Sequence, residues 1–250
     1  MKLKTKDLNI GYGDKILLQN INFEANSGDF IAIIGKNGSG KSTLLKTLGN
    51  ILPKISGDIV LDDQNLDNIE NLEKSKLISI VLTEKIDIPL SVQEVLQLGR
   101  QAYSDYFDRL SAKDYEIIDT VSAELELTDL LTRPIQQLSD GEQQKVMIAR
   151  SLVQETPIIL LDEPSTHLDI ENKAMLVKLL KKISHTQNKI VILSTHDINL
   201  ILPMADKLWI INNNTINALD NLNNTPQQLT KIFDNQLIKY DADCQIFKLI

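Results

Sequence analysis

Cysteine is almost absent: Cys244 is the only one in 250 residues. No intrachain disulfide can form, and one chain cannot assemble a cysteine-based zinc site, so the composition suits a reducing compartment. Long apolar runs are missing too. The longest, residues 158–161 and 190–193, fall far short of the ~20 residues that a membrane-spanning helix needs. Residues 1–7 alternate in charge and lead into no apolar stretch, which does not read as a signal peptide. Excess positive charge is also lacking. Lys and Arg number 26 against 34 Asp and Glu, a net charge of -8, so no broad footprint for nucleic acid exists and none is expected as a partner. The expectation is a cytoplasmic chain whose membrane contact, if any, comes through another protein.

With 42% hydrophobic residues, the chain can bury a substantial core. Residues 3–10 alternate in polarity like a half-exposed strand, and Phe30-Ile31-Ala32-Ile33-Ile34 reads as a buried one. A glycine-rich loop follows, then helical spacing over residues 42–48. The buried runs 158–161 and 190–193 flank residues 170–183, where Met175, Leu176, Leu179, Leu180 and Ile183 repeat with helical period. Strands alternating with helices predict an α/β fold with a mainly parallel sheet. Residues 91–133 differ, being rich in helix formers. Ser91 and Glu94 form a capping box there, and Pro89 and Pro134 bracket a helical insertion. All ten glycines lie at or before Gly141, and the tail from Asn212 uses asparagine for its turns.

Gly35-Lys36-Asn37-Gly38-Ser39-Gly40-Lys41-Ser42 matches G-x-x-x-x-G-K-[ST] between a strand and a helix. In such a loop backbone N–H groups converge on phosphate oxygens, Lys41 reaches the β- and γ-phosphates, and Ser42 ligates Mg²⁺. Thr43 continues the contact at the helix start. Downstream, the buried run 158–161 ends in Asp162-Glu163. Ligands of α/β sheets sit at the carboxyl ends of strands, which places Asp162 to hold Mg²⁺ through water and Glu163 to orient the attacking water. His196 follows the strand 190–193 and falls at the same edge, whereas His167 and His185 read as solvated or structural.

Leu138-Ser139-Asp140-Gly141-Glu142, followed by Gln143-Gln144-Lys145-Val146 and by the strand ending Asp162-Glu163-Pro164, strongly resembles the ATP-binding subunit of ABC transporters. The family's usual signature is LSGGQ, so Asp140 and Glu142 depart from it. The resemblance runs in order over nearly the whole chain and implies a single P-loop ATPase domain over residues 1–250. Its core spans 1–85 and 134–250, with an N-terminal antiparallel β-subdomain and a helical insertion at 86–133. It further implies that Tyr12 stacks on adenine, that Ser139 and Gly141 contact the γ-phosphate of ATP held by the other subunit of a head-to-tail dimer, and that Asp169 links the two sites. It likewise implies that His196 senses the γ-phosphate. Where the family carries a Mg²⁺-contacting glutamine, this chain has Thr83, with Glu84 next to it. We expect Thr83 to reach the metal through water, with Glu84, or no contact from either residue, as the alternatives.

Ser91-Val92-Gln93-Glu94-Val95-Leu96-Gln97-Leu98-Gly99-Arg100, with Tyr103, Tyr106 and Phe107 after it, and Glu163-Pro164-Ser165-Thr166-His167-Leu168-Asp169 resemble the subgroup serving importers of iron chelates (siderophores), haem and vitamin B12. The aromatics also read as helix core. The implied partners are a second copy of the chain, separate integral-membrane permease subunits and, indirectly, a substrate-binding protein. The implied location is the cytoplasmic face of the plasma membrane. The alternative is a soluble ABC ATPase for iron–sulfur cluster assembly or for DNA- or ribosome-linked work. Against the DNA-repair type stands the interval from Lys41 to Ser139, which holds no sustained heptads.

Overall fold

A computed structural model describes residues 1–83, 89–104, 109–166 and 168–219 together with the backbone of 238–241 and 246–249. The alternating N-terminus forms β1 (Lys2–Tyr12), which pairs antiparallel with β2 (Lys15–Ile21) and β3 (Glu24–Asn26). β4 (Phe30–Gly35) and α1 (Lys41–Leu48) flank the glycine-rich loop, and β5 (Ser56–Leu61) returns antiparallel to β1 with β6 (Gln64–Asn65) beside it. α2 (Asn71–Leu77) leads into β7 (Ile78–Val81), and α3 (Val92–Leu98) and α4 (Ala112–Glu124) lie between Pro89 and Pro134. Then follow α5 (Asp140–Val153), β8 (Ile158–Asp162), α6 (Ile170–Thr186), β9 (Ile190–Ser194), α7 (Ile198–Ile201), β10 (Lys207–Asn212) and β11 (Thr215–Leu219). β12 (Ile238–Asp241) and β13 (Ile246–Leu249) pair antiparallel with each other. No helix among the described residues is long and apolar enough to cross a membrane.

Two sheets result. The antiparallel one has the order β2-β1-β5-β6, and the second has the order β11-β10-β4-β9-β8-β7, parallel except for β11 at its edge. The second sheet is covered on both faces, which explains why its strands read as unbroken apolar runs. Side chains alternate between the faces with period two. Phe30, Ala32, Ile34, Ile159, Leu161, Val191 and Leu193 pack in one cluster with residues of α3, α4, α5 and α6. Their neighbours Ile31, Ile33, Ile158, Leu160, Ile190 and Ile192 pack in another with Leu44, Leu45 and Leu48 of α1 and with the antiparallel sheet. The parallel arrangement brings the carboxyl ends of β4, β8 and β9 together, with Asp162 in register with Ser194.

The capping box at Ser91 and Glu94 forms as expected, and a second one joins Ser111 to Asp114. Arg100, 3% exposed, ties this region to the end of α5. Its Nε and Nη2 donate to Asp114 Oδ1 at 2.8 Å, and its Nη1 donates to the carbonyl of Val153 at 2.7 Å and to Glu155 Oε2 at 3.0 Å. The guanidinium carbon lies 4.1 Å from the centre of the Tyr103 ring. Tyr103 is therefore not helix core: it closes a short 3₁₀ turn (Gln101–Tyr103) and donates its hydroxyl to the carbonyl of Gln154 at 3.0 Å. Tyr106, Phe107 and His167 fall outside the described residues. His185 is a surface residue, with Nε2 2.8 Å from the Asp206 carboxylate.

Candidate active site

The loop after β4 ends at Gly40, whose φ of +104° belongs to the region that glycine alone enters freely. Gly40 is the N-cap of α1, and α1 begins without a side-chain cap and without an acidic residue in its first turn. α3, α4, α5 and α6 are built differently: each starts with a capping Ser or Asp and has a carboxylate in its first turn. The bare first turn of α1 leaves its N–H groups and its positive dipole end available to an anion. Lys41, only 5% exposed, curls back to donate to the carbonyls of Gly35 at 3.0 Å and Lys36 at 3.4 Å. The Ser39 hydroxyl is buried with no partner among the described residues. A buried cation, unpaired donors and an open helix start fit a polyphosphate.

These groups border a cleft of about 500 Å³. From the glycine-rich loop and α1 it is lined by Asn37, Gly38, Gly40, Lys41, Ser42 and Thr43. Tyr12, Thr83 and Glu163 complete the set of expected site residues in it. Tyr12 is the last residue of β1. The residue is 55% exposed, and its hydroxyl lies 3.3 Å from Thr43 Oγ1. An exposed ring at the cleft edge offers a free π face for stacking.

The carboxylates stand where β8 ends. Asp162, 5% exposed, accepts the Ser194 hydroxyl on Oδ1 at 2.7 Å. Glu163 then takes a left-handed φ of +46°, a conformation that costs about 1 kcal/mol or more for a non-glycine residue. Its N–H donates to Ser194 Oγ at 2.9 Å, and the Thr166 hydroxyl donates to its carbonyl at 2.9 Å. The side chain ends between two nitrogens. Oε1 is 3.7 Å from Lys41 Nζ, and Oε2 is 3.3 Å from His196 Nδ1. Lys41 and His196 thus meet at the Glu163 carboxylate. The Thr83 hydroxyl donates to the carbonyl of Asp162 at 2.8 Å, so its proton is committed to the protein while its lone pairs remain. Glu84, the alternative, lies outside the described residues.

Ser139, Gly141 and Asp169 are placed elsewhere. None of them lines the cleft. Ser139 caps α5, donating both its N–H, at 2.8 Å, and its hydroxyl, at 2.7 Å, to Glu142 Oε2. Those bonds hold the Glu142 carboxyl below its ordinary range. Asp169 caps α6 and accepts the N–H of Asn172 at 2.8 Å.

The cleft thus joins a glycine-rich loop to the Glu163 carboxylate, with Asp162 and His196 bonded to its lining residues Thr83 and Glu163 and the Ser139 cap apart from it. The family model described as ABC transporter matches residues 18–166. The chain belongs to the ABC transporter ATP-binding family. It is similar to the petrobactin import ATP-binding protein FpuD of Bacillus anthracis, with 32% identity over 98% of this chain and 88% of the relative. Among solved structures it resembles a putative metal-chelate type ABC transporter in an inward-facing conformation, at a TM-score of 0.79 and 28% identity over 98% of this chain and 94% of that one. A dimeric bacterial ABC transporter cassette matches at a TM-score of 0.76 and 28% identity, covering 87% of this chain and 97% of its own.

The fold is that of a P-loop ATPase cassette, and the chain is an ATPase. Cassettes of this kind bind adenine nucleotides. The sequence reading did not single out Ser194, which touches both Asp162 and Glu163. Its only signal was its position, a hydroxyl residue closing an apolar strand two residues before His196.

Proposed function

We propose that two copies of this chain close head to tail around two MgATP and drive a separate integral-membrane permease that imports a metal chelate, of the iron-siderophore, haem or cobalamin kind. The observation that carries this reading is the division of the site. Tyr12, Asn37, Gly38, Gly40, Lys41, Ser42, Thr43, Thr83 and Glu163 line one cleft, Asp162 and His196 are bonded to its lining residues Thr83 and Glu163, and Ser139, Gly141 and Asp169 do not line it. A second copy would bring those three to the open side, completing the γ-phosphate contacts and linking the two sites. The dimeric cassette structure supports the pairing. The names of the petrobactin-import relative and of the metal-chelate transporter support the cargo class.

In this reading residues 1–85 and 134–250 form the working core and 86–133 the helical insertion of one domain. Tyr12 stacks on adenine, and Gly35, Asn37, Gly38, Ser39, Gly40, Lys41, Ser42 and Thr43 hold the phosphates. Ser42 and Asp162 hold Mg²⁺, Asp162 and Thr83 through water, a hard-oxygen set that suits this ion. Bound there, Mg²⁺ supplies charge neutralisation for the transferring phosphoryl group. Glu163 orients and deprotonates water, and His196, which contacts the same carboxylate, senses the γ-phosphate. ATP binding favours the closed pair and hydrolysis the open one, a ligand-biased two-state motion that the permease must read. The chain then works on the cytoplasmic face of the membrane, with a substrate-binding protein acting indirectly. Affinity purification of the tagged chain from detergent-solubilised membranes should recover a multi-span permease, and deleting the gene should abolish uptake of a radiolabelled ferric chelate. Recovery from the soluble fraction alone, with uptake intact, overturns the proposal.

A further inference from the structure

Ser194 is wholly buried at the last position of β9. Strand register sets Asp162 beside it on one side and Ile33 on the other. A hydroxyl has one proton and two lone pairs, and here two of these capacities go to the two carboxylate residues in succession. The proton goes to Asp162 Oδ1 at 2.7 Å, and a lone pair receives the Glu163 N–H at 2.9 Å. The first bond is charge-assisted and fixes the Asp162 side chain. The second holds the backbone at a residue whose φ is +46°, a turn that needs support from its surroundings. That turn sets where the Glu163 side chain leaves the strand, and so brings it to Lys41 and His196.

We propose that Ser194 is a positioning residue of the ATPase reaction, holding Asp162 and the turn that aims Glu163 through the same hydroxyl. The proposal rests on the reading of Asp162 as the metal-side carboxylate and Glu163 as the water-activating one. The Lys41 ammonium is held by the carbonyls of Gly35 and Lys36, and Ser194 does not line the cleft. Its loss therefore leaves the grip on the phosphates in place and loosens the geometry of the chemical step.

The test compares Ser194→Ala, Ser194→Cys and Ser194→Thr with wild type, each checked by thermal melting. The thiol of Ser194→Cys keeps the packing but is a weak donor and acceptor, so it carries the test if Ser194→Ala does not fold. Turnover is measured at saturating Mg²⁺. Binding of a fluorescent ATP analogue is titrated with Mg²⁺ without turnover. Loss of a hydrogen bond to a charged group predicts a kcat lower by roughly 10- to 100-fold in Ser194→Ala and Ser194→Cys, with KM for ATP nearly unchanged. The Mg²⁺ midpoint for analogue binding should rise by about threefold or more in both. Ser194→Thr, which keeps the hydroxyl, should recover most of the turnover. The proposal is overturned if kcat and Mg²⁺ midpoint stay within about twofold of wild type in Ser194→Ala and Ser194→Cys, whatever their melting temperatures. It is also overturned if the loss falls on KM alone. Asp162→Asn and Glu163→Gln, run alongside, separate the two levels. If these retain turnover the carboxylate assignment itself fails, whereas if they lose it and the Ser194 variants do not, only the positioning role fails.

Discussion

Thr83→Val removes one hydroxyl and keeps the shape of the side chain, so its effects trace to the oxygen alone. The structure shows where that oxygen is spent: it donates to the carbonyl of Asp162 at 2.8 Å, joining the end of β7 to the end of β8, and it lines the cleft. Losing a neutral hydrogen bond of this kind costs about 1 kcal/mol, which in a chain of 250 residues lowers Tm by roughly 2–4 °C. A stapling role predicts that much and no more. A Mg²⁺-shell role adds a second effect. With the proton committed, the lone pairs are left to accept from metal-bound water, and losing that contact, again about 1 kcal/mol, raises the Mg²⁺ midpoint of ATPase activity by about fivefold. Titrating ATPase rate against Mg²⁺ at saturating ATP, with parallel melting curves, separates the two. A lowered Tm with an unchanged Mg²⁺ midpoint would refute the metal role and leave Thr83 as a staple. A shifted midpoint in Glu84→Gln but not in Thr83→Val would hand the role to Glu84.

Arg100→Ala strands the buried Asp114, so stability should fall by about 3–5 kcal/mol and Tm by roughly 6–20 °C. A melting curve within about 2 °C of wild type would contradict the network as described. Glu142 is held below its ordinary value of 4.5 by the Ser139 hydroxyl and N–H. A lowered folded value means that its stabilisation is full above 4.5 and fades as the pH falls through that lowered value. The Tm advantage of wild type over Glu142→Gln should therefore be present at about pH 7 and shrink on acidification. A difference independent of pH would count against it.

The buried strands were legible because a sheet covered on both faces writes itself as unbroken apolar runs, as in Phe30 to Ile34. The glycine-rich loop was legible as a link between strand and helix because its glycine spacing and Lys41 have few other uses there. Contacts between residues distant in sequence left no such mark. Arg100 reads as the polar end of a helical segment, and nothing local pairs it with Asp114, Val153 and Glu155. Antiparallel pairing of β1 with β5 runs regularly from Leu3–Leu61 to Lys6–Asp58 and then shifts register before Asn9–Ser56, a shift that period-two alternation does not encode. Glu163 could be named as the residue after Asp162. Its left-handed turn could not, since the strand pattern ends there and the support comes from Ser194 on another strand. Thr83 was recognised as a departure, but whether its hydroxyl faces metal or backbone depends on the end of β8, which only the sheet order brings beside it.

The central claim, an ATPase whose two copies share their nucleotides, is tested most directly by Glu163→Gln on a sizing column with and without MgATP. The amide keeps the size of the side chain but loses the charge proposed to activate water. The account predicts nearly abolished hydrolysis and a shift from monomer to a stable dimer only when MgATP is present. A variant that hydrolyses ATP at the wild-type rate, or that binds MgATP and stays monomeric at all protein concentrations, would contradict it.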